Sequence, residues 1–167
     1  MAPCDTNMWE KLVLLLVIIA ANGAPILVDD LLGRRWAWPL DGGLTLGDGR
    51  RLLGSSATLR GVVAAVLTAT VLAQLVGHSM QTGAMIGLLA MVGDALSSFV
   101  KRRLALAPGE MAVGLDQIPE CLLPLLAVAR EYRLGWDDVL ALVAAFTLFD
   151  ILVSRLLYRV HLRKRPY

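Results

Sequence analysis

GAMIGLLAMVGDALSSFVKRR, residues 83–103, decides the fold. Its first part, 83–100, is an apolar run close to the ~20 residues a helix needs to cross the hydrocarbon of a bilayer. It closes on three consecutive cations, Lys101, Arg102 and Arg103. Outward from it lie three more runs of that kind, 12–28, 60–77 and 137–158. A fifth, 118–129, is short and carries Pro119 and Pro124. It reaches spanning length only by adding 115–117 upstream or 130–132 downstream, and otherwise reads as a re-entrant half-helix. The chain is 57% hydrophobic over 167 residues, above the roughly 45–50% apolar usage of soluble domains. Its charges gather between the apolar runs instead of striping one face of each helix.

Those charges set the expected topology. With five spans, segments 29–60, 101–117 and the tail from 155 share one side. They hold Arg34, Arg35, Arg50, Arg51, Arg60, Lys101, Arg102, Arg103, Arg155, Arg159, Arg163, Lys164 and Arg165, thirteen of the sixteen Lys and Arg. With four spans the split weakens to ten against six. The positive-inside rule therefore predicts an all-α integral membrane protein of five transmembrane helices, N terminus out and C terminus cytoplasmic. Residues 1–167 form a single polytopic domain of the inner (cytoplasmic) membrane. It has a long cytoplasmic interfacial loop at 29–60 and a second cytoplasmic loop at 101–117. Trp9, Trp36, Trp38, Trp136, Tyr132 and Tyr158 fall near the helix ends, where amphipathic rings favour the headgroup level. A net charge of +2 argues against a nucleic-acid partner. Cys4 and Cys121 give neither zinc spacing nor a disulfide framework, and Cys121 reads as a buried free thiol. Only Lys11 precedes Leu12, so the first apolar run reads as a retained helix and not a cleaved signal.

Ionisable groups inside apolar helices are costly and are functional candidates by default. Asp94, Ser97, Ser98 and Lys101 recur at i, i+3, i+4 and i+7, one face of a helix. That face starts with an acid in the membrane and ends in cations, as a metal-binding acid beside a phosphate-binding end would. Lys101 to Arg103 equally suit a helix C terminus. Asp116, in GLDQIPE (114–120), opens the fourth run on the same side. Magnesium takes hard oxygen ligands, commonly one or two carboxylates with substrate phosphates, and Asp94 with Asp116 could supply these. Asp116 reads equally as a helix N-cap. In the long loop, PLDGG (39–43) and GDGRRLLGSSATLRG (47–61) combine glycines that admit a phosphate close to the backbone with Arg50, Arg51 and Arg60. No P-loop or dinucleotide fingerprint is present. Asn22 and Pro25 are expected to break the first helix at membrane depth. His78 and His161 have no evident partner and read as surface residues. Asp150, in the last span, reads as a packing or cavity-lining group.

Taken together these motifs resemble the CDP-archaeol synthase family and, more distantly, phosphatidate cytidylyltransferases. The resemblance rests on GDALSSFVKRR (93–103) followed by Leu115-Asp116-Gln117, on Asn22 with Pro25, on Pro39 to Gly43, on Asp48 to Gly54, and on Thr58 to Gly61. It covers roughly residues 20–120. The chain departs from the pattern at Ser55, Ser56 and Ala57, where members carry an acid and a lysine. It departs again at Pro119, where an acid usually stands; here Glu120 is beside it.

The resemblance implies transfer of CMP from CTP to a lipid phosphate in the bilayer, giving a CDP-lipid and pyrophosphate with Mg2+. Asp94, Asp116 and Lys101 would be catalytic, with the metal on Asp94 and Asp116. Substrate would be held by Asn22, Asp41, Asp48, Arg50, Arg51, Thr58, Arg60, Ser97, Ser98, Arg102, Arg103 and Gln117. The rival readings are a non-catalytic membrane protein that binds lipid phosphate or nucleotide, and a CDP-alcohol phosphotransferase. The latter's Asp-Gly motif is not completed after Asp41-Gly42 or Asp48-Gly49. The sequence leaves open whether the chain forms a homo-oligomer, and which lipid accepts.

Overall fold

The computed structural model describes residues 7–33, 35–107, 110 and 112–159. Arg34, Cys4, His161 and the tail's Arg163, Lys164 and Arg165 lie outside the described residues. Five helices follow in order: α1 Met8–Leu32, α2 Leu59–Leu75, α3 Met80–Arg103, α4 Gln117–Val128 and α5 Trp136–Arg159. Three of them, α1, α3 and α5, are each long and apolar enough to cross a membrane.

The helix ends obey local chemistry. Asn7, Thr58 and Ser79 accept hydrogen bonds from the amides of Trp9, Gly61 and Thr82, and so cap α1, α2 and α3. Gly33, at φ +54°, turns the chain out of α1 while its amide bonds Asp29 O at 2.9 Å. The last turn of α3 carries Lys101, Arg102 and Arg103, and the first turn of α5 carries Asp137 and Asp138, both matching the helix dipole. One expectation fails. Asn22 and Pro25 do not break α1, which runs unbroken through both, and Asn22 Nδ2 donates to Ile18 O at 2.9 Å within the helix.

Between apolar helices in lipid there is little hydrophobic drive, so close backbone approach has to supply the packing. Ala65, Ala69 and Ala73 of α2 are 0–1% exposed, and Gly83 and Gly87 of α3 press on them. A Cβ on Gly87 would fall 2.8 Å from both Ala65 O and Val66 Cα. Leu14, Val17 and Ile18 of α1 and Cys121 and Leu125 of α4 complete a core with Ile86 and Ala90. Leu16, Leu67, Leu88, Leu140 and Leu152 point outward, as lipid-facing positions should.

The fourth run crosses the bundle. Its start lies at the C-terminal end of α3, where Asp116 meets Lys101. Its far end meets the α2–α3 turn: Thr82 Oγ1 donates to Glu131 Oε1 at 3.2 Å, and Tyr132 Oη is 2.9 Å from His78 Nδ1. Lys11 reaches Asp138 at 2.6 Å at the same end. The twelve residues of α4 give about 18 Å, and the turns through Tyr132 supply the rest. The re-entrant alternative is thus replaced by a short crossing helix. His78 is not a free surface residue, since its Tyr132 partner stands 54 residues away in sequence.

Candidate active site

At the end of the bundle that gathers the α1–α2 and α3–α4 connections, α3 and α4 touch backbone to backbone. A Cβ on Gly93 would fall 2.5 Å from Pro119 O and 2.6 Å from Glu120 N. Glycine at 93 therefore sets how closely its neighbour Asp94 approaches α4. Asp94 is half-buried, and its carboxylate makes no hydrogen bond or ion pair among the described residues. One and two turns on, Ser97 and Lys101 continue the face read from the sequence: Ser97 Oγ donates to Asp94 O at 2.9 Å, and Lys101 Nζ reaches Asp116 Oδ1 at 2.8 Å. Ser97, Ser98 and Lys101 are all buried.

Asp116 occupies the N-cap position of α4 without capping it. Its backbone is helical (φ −77°, ψ −54°), and Oδ2 accepts the amide of Ala112 at 3.0 Å instead. The N-cap alternative is therefore replaced by a turn-closing role that aims the other oxygen at Lys101. Glu120, one turn into α4, lies in charge–charge range of Asp94, Asp116, Asp150 and Lys101. Three further carboxylates and one ammonium thus lie within charge range of Glu120.

The long loop closes this end. Asp41, its side chain fully buried, organises the loop: Oδ1 accepts from Gly43 N (3.0 Å) and Arg51 Nη2 (2.5 Å), and Oδ2 from the amides of Leu53 (3.1 Å) and Gly54 (3.0 Å). Burial alone would raise the Asp41 pKa. The donated bonds from Gly43, Arg51, Leu53 and Gly54 outweigh it and hold the carboxyl well below the usual range. Arg50 Nη1 donates to the last α3 carbonyls, at 2.7 Å for Arg103 O, and so caps that helix. Arg103 reaches back to Asp48 at 2.8 Å and to Arg51 O at 2.6 Å. The Arg50 amide and the Arg103 charge in turn lower the Asp48 pKa.

Arg102 leaves more of its guanidinium unpartnered than Arg51 or Arg103, each of which has one buried Nε without a partner among the described residues. Only 5% exposed, it donates from Nη2 to Ala107 O at 3.1 Å, and its buried Nε and Nη1 have no partner among the described residues. Gly54, at φ +98°, lies against that guanidinium: a Cβ there would sit 3.5 Å from Nη1.

Of the expected site residues, Asp94, Ser97, Ser98, Lys101, Asp116 and Gln117 come together at the α3–α4 crossing. Arg102, Arg103, Asp41, Asp48, Arg50 and Arg51 are joined to it through the loop. Thr58 caps α2, and Arg60 spends its guanidinium on Asp29 (2.7 Å) and on the carbonyls of Gly33 and Arg35. No hydrogen bond among the described residues ties Asn22, Thr58 or Arg60 to the acids. An apolar groove of about 520 Å3 between Trp36, Trp38, Val63 and Leu67 opens on the side of α2 turned away from α3. Glu120 and Asp150, which lie near these residues, were not among the expected site residues. An acid within IPECLLPLL was the available signal for Glu120.

Among the described residues no group of three or more His, Cys, Asp or Glu is placed to hold a metal unaided. The donor set still suits magnesium, which binds one or two carboxylates and completes its shell with phosphate oxygens and water. An excess of carboxylate over cationic charge, half-buried at one place, also favours a cation.

The bundle matches a solved structure described as an intramembrane enzyme for archaeal membrane lipid biosynthesis. The match has a TM-score of 0.72 and 32% identity, over 89% of this chain and 94% of that one. The molecule is thus a multi-pass membrane enzyme. Residues 8–82 and 75–167 match the CarS-like family of CDP-archaeol synthases. The CDP-archaeol synthase of Aeropyrum pernix is 36% identical over 96% of this chain and 93% of its own. That of Methanopyrus kandleri is 38% identical over 77% and 79%, and that of Sulfurisphaera tokodaii 35% over 77% and 81%. The chain belongs to the CDP-archaeol synthase family, and with it to the enzymes that transfer CMP from CTP to a lipid phosphate. This sets aside the non-catalytic reading.

Proposed function

We propose that the transfer takes place at the α3–α4 crossing, on the cytoplasmic side of the membrane, with the lipid phosphate of an isoprenoid ether lipid as acceptor. The observation that carries this reading is the crossing itself. Gly93 against Pro119 brings Asp94, Asp116 and Glu120 together at the end of α3 that also carries a buried guanidinium with two unpartnered nitrogens. The acceptor follows the names of the relatives.

In the reaction a lipid phosphate oxygen attacks the α-phosphorus of CTP. The bond to the bridging oxygen breaks, and pyrophosphate leaves with the electron pair. Asp94 and Asp116 are the residues that would hold Mg2+, which when bound neutralises charge on the phosphates. Lys101 holds Asp116 in place and offsets its charge. Arg102 has Nε and Nη1 unpartnered, on different edges of the guanidinium, and each can donate to a phosphate oxygen. Arg50, Arg103 and Asp48 brace the loop over this end, and Asp41 fixes the loop's shape.

The test is a radiolabelled CTP assay on detergent-purified protein with magnesium. Unsaturated archaeal ether-lipid phosphate and diacyl phosphatidate run side by side. A CDP-lipid formed from the ether lipid and lost in Asp94→Asn supports the reading. Full turnover in Asp94→Asn overturns the site, and preference for phosphatidate overturns the acceptor.

A further inference from the structure

Asp150 lies deep in the last helix, half-buried, and makes no ion pair among the described residues. A carboxylate in an apolar helix is costly unless something repays its desolvation. Its Oδ2 accepts a hydrogen bond from Gln117 Nε2 at 2.7 Å. Gln117 is 1% exposed, and its other end is engaged too, with Oε1 accepting the amide of Gly114 at 2.8 Å. Gly114 is at φ +84°, in the tight turn that delivers the chain to Asp116. The same turn is closed from the other side by Ala112 N on Asp116 Oδ2.

A strut therefore runs from α5 through one amide side chain to the backbone turn that aims Asp116. Each end of the Gln117 amide has a partner within the protein and the side chain is out of solvent. We infer that Asp150 and Gln117 are positioning residues for the reaction: they lock the 112–116 turn so that Asp116 Oδ1 faces Lys101 and the phosphates. The inference rests on the reading of Asp116 as a site acid. It also gives the last helix a task. Apart from Lys11–Asp138 at the opposite end, α5 meets the other helices mainly through apolar contacts, and Asp150 joins it to the chemistry.

What the strut needs from Asp150 is an acceptor oxygen, and its charge is secondary. Asn at 150 keeps that acceptor and Leu removes it. The set to make is Asp150→Asn, Asp150→Leu, Gln117→Met and the double variant Asp150→Leu/Gln117→Met, on the full chain in detergent with Asp116→Asn alongside. Two readouts are taken: kcat and KM for CTP, and hydrogen exchange at the Gly114 amide. Removing an outer partner of a site group typically costs 10–100-fold. The expectation is that Asp150→Leu and Gln117→Met each lower kcat by roughly 10–100-fold, with KM for CTP little changed and Gly114 exchanging faster. Asp150→Asn keeps most of the rate and the protection. The double variant is no worse than Gln117→Met alone, because both act through one contact.

Three results overturn the inference: an Asp150→Leu variant with wild-type kcat, an Asp150→Asn variant as inactive as Asp150→Leu, and losses that multiply in the double variant. If Asp150→Leu does not fold, Gln117→Met with its exchange readout decides alone. A fully active Asp116→Asn sinks the underlying site reading instead, and leaves the Gly114 exchange result to judge the strut as a structural element.

Discussion

Lys101 Nζ lies 2.8 Å from Asp116 Oδ1 and donates to Glu110 O at 3.2 Å, so the end of α3 is tied both to the start of α4 and to the loop between them. The pair is largely out of solvent, with side chains 10% and 13% exposed. Breaking a buried pair leaves an uncompensated charge, here on an acid proposed to hold the metal. Lys101→Met is expected to lower kcat by roughly 10–100-fold, and Lys101→Arg to recover part of it. Asp94→Asn should lose more than about 100-fold in turnover while eluting as wild type from a sizing column. Steady-state kinetics on the three proteins check this. Near-wild-type turnover in Lys101→Met would remove the pair from the mechanism.

Gly93→Ala should be far more damaging than its size suggests. Its new Cβ meets Pro119 backbone atoms at 2.5 Å, and neither helix backbone can yield without the other. Overpacking of this kind typically costs 1–3 kcal/mol. Displacing α4 would also pull Asp116 and Glu120 from Asp94. We expect a Tm lowered by several degrees and activity lost by more than the fall in folded fraction accounts for. Gly135→Ala is the matched control, because a Cβ there meets only Asp138 Oδ2, at 3.9 Å.

Arg102, proposed to bind phosphate, can be tested against Arg60, whose guanidinium is engaged within the protein. Hydrogen bonds to charged groups contribute about 1.5–3 kcal/mol each, so Arg102→Gln should raise KM for CTP, or weaken product inhibition by pyrophosphate, by roughly 10–150-fold. Arg102→Lys should not restore it, since an ammonium lacks the planar fork. Arg60→Gln is expected to leave KM for CTP unchanged and to affect only stability. Inhibition by pyrophosphate, measured across the set, tests this. Equal effects from Arg102→Gln and Arg60→Gln would count against the assignment.

Asp41 should make the loop acid-sensitive only well below neutrality. Its folded pKa is depressed from an unfolded value of about 3.9. The stabilisation is therefore complete above about pH 4 and is lost as pH falls through the folded value. Hydrogen-exchange protection at Leu53 and Gly54 should be flat from about pH 5 to 8 and fall in acid. Asp41→Asn, which cannot accept all four bonds, should lose about 2–3 kcal/mol of loop stability and show no such acid step. A step that persists in the variant would assign it to another acid.

The apolar runs made the helices legible, because membrane spans need a length of uncharged residues that composition cannot hide. All five are present near the expected positions. The i, i+3, i+4, i+7 face of Asp94, Ser97, Ser98 and Lys101 was legible for a similar reason: helical periodicity is local. Pro25 misled, because a proline inside a packed helix gives up one hydrogen bond without ending the helix. That Asp41 organises the loop and Thr58 caps α2 was not legible, because a motif gives residue type and order but not what the side chain touches.

By itself the sequence determined that this chain is an all-helical membrane protein with a basic end, and which acids sit at membrane depth. Length, hydropathy and periodicity are properties of neighbours along the chain. Only the tertiary structure decided that the short fourth run crosses the bundle and that Glu120 joins Asp94 and Asp116. It also decided that Arg102 keeps two buried guanidinium nitrogens without a partner among the described residues, and that Asp150 reaches Gln117 33 residues away. These facts depend on where helices cross. That is set by the backbone contacts of Gly87 on α2 and Gly93 on α4, between residues that no local pattern links.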